Sequence, residues 1–89
     1  MTRPTQDRYD QGAQVADLVA EYLVALREGT DLDPAAILAG AHAAVVTLMV
    51  QSYGGPETAE CCQRTAERVR HIPSLAAVQL AVAEPAGRA

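Results

Sequence analysis

Two adjacent thiols, Cys61-Cys62, are the first place to look for chemistry in this chain. Zinc sites want spacings such as C-x-x-C with further ligands nearby. Neighbouring cysteines on a regular helix point about 100° apart, so they do not converge on one ion. A disulfide between them would need a strained turn that a helix does not provide. The reading from spacing is therefore structural: Cys62 as a small core residue, with Cys61 at its edge.

His42 and His71 are the other titratable candidates. His42 falls within an apolar helix, where a neutral, hydrogen-bonded histidine in a core or across an interface is the common case; a metal ligand or a pH-sensitive contact is the alternative. His71 falls at a helix end, where partial positive charge is favourable. No spacing motif joins either histidine to the cysteines. Nothing resembles a nucleophile triad, a phosphate loop or a dinucleotide fingerprint. Ser52-Tyr53-Gly54-Gly55 is glycine-rich but follows a helix rather than a strand. The sequence thus predicts no catalytic residue, no metal site, no cofactor and no enzymatic activity.

Charged residues form two groups. Asp17, Glu21 and Glu28 recur on one side of a helix and offer an acidic face to a basic partner, or an ordinary solvated surface. Arg64, Arg68 and Arg70 form the basic cluster. Arg64 and Arg68 lie one turn apart, as a helix reading a DNA groove requires. Glu60 and Glu67 interleave them, and no lysine or aromatic residue supplements them. The net charge of −4 also argues against general nucleic-acid binding, which needs surplus cations. Asp31-x-Asp33 lacks the glycine and closing glutamate of a calcium loop.

The elements that position these residues read as all-α. Val15, Leu18, Val19, Tyr22, Leu23 and Leu26 share one face of a first helix, predicted from about Asp10 to Glu28 and closed by Gly29. A short link leads to a second helix. There Asp33 is the N-cap, Pro34 suits the first turn, and Gly54-Gly55-Pro56 is the stop. A third helix is predicted from Pro56 to about Arg70, with Thr58, Cys62, Thr65, Ala66 and Val69 on its apolar side and Glu60–Arg64 as an i, i+4 pair. His71-Ile72-Pro73 breaks it. Ser74 caps a short helix from Leu75 to Ala83, which Glu84-Pro85 stops. The predicted architecture is a small helical bundle: an antiparallel hairpin, a third helix and a short C-terminal helix. The domain spans 10–84, between a flexible lead-in (1–9) and a flexible tail (85–89).

The second helix carries the strongest signal. On a helical wheel its large apolar side chains spread over roughly 220°. Gly40, Ala43, Ala44, Thr47 and Gln51 fill the rest, small enough in part to admit another backbone. An 89-residue chain without Phe or Trp builds only a thin aliphatic core. Apolar area beyond the needs of one hairpin partner points to association through Leu38, His42, Val45, Val46, Met49, Val50 and Tyr53. The apolar run Ala35–Val50 is shorter than the roughly 20 residues that span a bilayer, and the N-terminus lacks the apolar stretch of a signal peptide. These features predict a cytoplasmic protein away from membranes, with reduced thiols. The predicted function is a homodimeric interaction or regulatory protein whose partner is another protein. A dimeric DNA-binding regulator using Arg64 and Arg68, and a thiol or metal sensor using Cys61, Cys62 and one histidine, are the alternatives.

Overall fold

The structure, a computed structural model, describes residues 4–86, with side chains from Gln6 to Ala83. The protein is all-α. Four helices follow one another: α1 (Pro4–Gly29), α2 (Pro34–Tyr53), α3 (Gly55–Arg70) and α4 (Leu75–Ala86). They divide into two units, Met1–Thr47 and Leu48–Ala89, with the boundary inside α2.

Local signals account for most helix ends. The Ala35 N–H donates to Asp33 Oδ1 at 2.9 Å, so Asp33 caps α2 as its position predicts. The Ala77 N–H donates to Ser74 Oγ at 3.1 Å, and Ser74 likewise caps α4. Between α2 and α3 the chain breaks at a single residue, Gly54, with φ 85° and ψ 170°. That region is open essentially to glycine alone. The Gly54 carbonyl then accepts the Thr58 N–H at 3.2 Å and the Thr58 hydroxyl at 2.8 Å, which ties the first turn of α3 to the break.

Four boundaries differ from the sequence reading, the smallest change being α3, which begins at Gly55 rather than Pro56. α1 begins at Pro4, six residues before the expected start, where a lead-in was predicted. Proline is favoured in a first helical turn because its missing N–H has no partner there anyway. Gly29 lies inside α1 rather than beyond it, and it has no positive φ. Thr30 does the closing: its N–H and hydroxyl both donate to the Leu26 carbonyl, at 3.1 and 2.6 Å. At the other end α4 runs through Pro85 to Ala86. A proline in a last turn forfeits one backbone hydrogen bond without ending the helix. The predicted tail beyond Ala86 lies outside the described residues.

In the first unit, α1 and α2 form an antiparallel hairpin through residues 30–33. Leu23, Val24 and Arg27 of α1 meet Pro34, Ile37 and Leu38 of α2 around a cavity of about 100 Å³. Ile37 is the one buried large apolar residue among the described residues, at 8% exposure. Leu23, Leu26, Ala41 and Val46 are half-buried, and most of the other large apolar side chains of the hairpin are exposed. In the second unit Thr58 is buried, at 4% exposure, with Gly54 and Cys61 half-buried on the same side of α3. The expected cores of α1 and α2 are thus not closed within the chain.

The total area makes the same point. The accessible surface is 7898 Å². Two compact bodies of half the 9.4 kDa chain mass expose about 6,000 Å² together.

The glycines make a sharp pair of tests. A Cβ at Gly54 meets no atom within 4 Å, so Gly54→Ala acts through backbone strain alone. It should destabilise by about 1–3 kcal/mol, measured as a fall in the urea midpoint of helical circular dichroism. Gly40→Ala also meets open space, in a helix interior. It should stabilise by about 0.5–1 kcal/mol in the same assay; a loss there would mean that another backbone approaches α2 at Gly40.

Candidate interaction surface

The α2 residues proposed from sequence as an interface are mostly open. Leu38 and Tyr53 are 63% and 64% exposed, and His42, Val45 and Val50 are also exposed. Val46 and Met49 are half-buried. Leu48 is exposed as well. Most of the large apolar side chains of α2 are therefore open, as the excess of apolar area in the sequence suggests. α2 is long and apolar enough to cross a membrane, with 6% of its most apolar window buried. Its 20 residues also exceed the apolar run counted from sequence, because Pro34, Gln51, Ser52 and Tyr53 extend the helix at both ends.

On α1, Asp17, Glu21 and Glu28 are all exposed. Glu21 and Glu28 flank Ala20, Val24 and Ala25 along a shallow depression. At about 100° per residue these carboxylates lie opposite the Val15–Val19–Leu26 line. Along that helix Val15, Leu18, Val19 and Tyr22 are exposed, so its apolar side continues past the part that α2 covers.

On α3 the cysteines exchange the roles that spacing suggested. Cys61 is half-buried and Cys62 exposed; both are free thiols. The covered line of α3 runs Gly54, Thr58, Cys61, at i, i+4, i+7, rather than through Cys62, Thr65 and Val69. Spacing alone does not choose between these lines, because positions 61 and 62 both follow Thr58 by about one turn. Cys61 borders a groove with Met49, Tyr53, Glu57, Glu60 and Arg64. The expected Glu60–Arg64 ion pair does not form; among the described residues the ion pair is Arg70–Glu67, at 2.9 Å. Arg64 and Arg68 are exposed and one turn apart, and among the described residues neither has an acidic partner at salt-bridge distance. His42 is exposed rather than held in a core, and His71 stands at the C-cap of α3. Among the described residues no group of three or more His, Cys, Asp and Glu converges as a metal site would.

Sequence reasoning missed Arg27. Its side chain borders the α1–α2 cavity beside Leu23 and Val24, where its aliphatic stem covers apolar surface and its charge stays in water. The i, i+4 relation of Leu23 to Arg27, so close to the turn, was the available signal.

The fold defines a small all-α protein built on a helical hairpin with an uncovered apolar side. No protein-family model, curated protein or solved structure matches the chain.

The thiols give a direct check of this surface. With limiting iodoacetamide, peptide mass mapping should find Cys62 alkylated before Cys61, and the difference should vanish in denaturant. Equal rates in the native protein would contradict the placement of Cys61 on the covered side of α3.

Proposed function

We propose that this chain is a small, non-enzymatic cytoplasmic protein that works by binding other proteins, in an interaction or regulatory role, and that it does so as a homodimer. The observation that carries the reading is α2: a 20-residue apolar helix with Ile37 as its one buried residue. Exposed apolar area on this scale is stabilised by burial against another chain, at about 25 cal/mol per Å² removed from water. Two features favour protein over lipid as the cover. The exposed apolar side of α1 shares its helix with Asp17 and Glu21, which do not enter a bilayer core cheaply. His42 and Thr47 also interrupt the middle of α2. The acidic face of α1, opposite the apolar one, stays available for a basic partner of the assembled dimer.

A second reading keeps one specific observation. Arg64 and Arg68 stand exposed one turn apart on α3, with no ion pair among the described residues, a spacing suited to phosphate or groove contacts. In that reading dimerisation sets two copies of α3 on successive grooves. Binding to duplex DNA would weaken steeply with salt and disappear in the double variant Arg64→Ala, Arg68→Ala. No mobility shift at low salt would dispose of it.

For the main reading, light scattering after size exclusion should give twice the 9.4 kDa chain mass, with or without reductant. Val45→Asp should shift the peak toward monomer. A wild-type monomer across the accessible concentration range would refute the homodimer.

A further inference from the structure

We infer that the chain has no folded monomer: two copies of the α1–α2 hairpin close into a four-helix bundle, and pairing and folding are one step. This rests on the homodimer proposed above and goes further, because a dimer can also form from monomers that are stable alone.

The first support is area. The surface of 7898 Å² exceeds that of two separately compact bodies by about 1,900 Å² per chain. Covering that excess on two copies would bury about 3,800 Å² in total. An interface of that size falls in the range of about 2,000–5,000 Å² that obligate homodimers bury.

The second support is the hairpin's share of the exposed apolar surface, the rest of which includes Leu75, Leu80 and Val82 on α4. In the hairpin α2 covers only the Leu23–Leu26 end of the α1 stripe. Val15, Leu18 and Tyr22 continue it into solvent, and Leu38 and Val45 do the same on α2. One buried apolar residue in the whole hairpin leaves little to offset the conformational entropy of ordering two long helices. Two-helix hairpins reach a closed core by pairing, which gives each helix two neighbours.

The third support is charge. The carboxylates of Asp17, Glu21 and Glu28 lie on the side of α1 opposite the apolar line. Two identical apolar sides therefore meet without bringing like charges together. A second copy satisfies this self-complementary pattern with no further assumption.

The test is a urea titration of the full chain, followed by circular dichroism, at two concentrations a hundredfold apart. Light scattering is run in parallel without urea. If folding requires pairing, the midpoint rises by about 1 M over that range. Leu18→Asp should abolish this dependence together with most of the helical signal, whereas Leu80→Asp, on α4, should keep it. A dimer by light scattering with a fixed midpoint would overturn the coupling but leave the homodimer intact. A cooperative, concentration-independent monomer would overturn both. A dependence lost in Leu80→Asp and kept in Leu18→Asp would move the contact to α4 and overturn the hairpin bundle. Helix formed only on adding phosphatidylcholine vesicles would assign α2 to lipid and overturn it too.

Discussion

The structure depends on one imbalance: the chain has more apolar helix than it has chain to cover it. Water tolerates single exposed leucines well, since every protein surface contains some. It does not tolerate whole helix faces, because the cost grows with the contiguous area exposed. In α2 a nearly continuous set of Ile, Leu, Val and Met side chains meets only the far end of α1. Each other feature of interest, from the open line on α1 to the carboxylates behind it, takes its meaning from what finally lies against those faces.

Within that imbalance the joints are well defined. Asp33 and Ser74 satisfy first-turn donors, Thr30 satisfies a last-turn carbonyl, and Gly54 supplies a conformation that other residues resist. These are short-range devices, each stabilising by about a kilocalorie per mole, and they fix where helices begin and end. They do not supply a core. The helices are therefore specified more firmly than their packing is.

Among the described residues the side chains with metal-ligating potential do not collect into a site. Cys61 borders a groove with Arg64 and two glutamates, while Cys62 faces solvent on the adjoining side. The acidic face of α1 and the arginines of α3 are surface features of opposite sign on different helices.

The sequence by itself determined the helical class, the order of the helices and most of their ends, because caps, prolines and glycines act within a turn of their own position. Pro4 was legible by the same rule that placed Pro34 correctly, yet the polar residues around it concealed it. Gly29 carried a stop signal that the Thr30 hydroxyl satisfied instead. The hydrophobic pattern also identified which side of α1 and α2 is apolar. It did not determine what covers that side, since periodicity records a preference for burial and not the neighbour that provides it. Only the tertiary structure decided that Ile37 and Thr58 are enclosed while Leu38, Val45 and Tyr22 are open, and that Cys61 rather than Cys62 turns inward. Those outcomes depend on how far one helix reaches along another, a distance that no local spacing encodes.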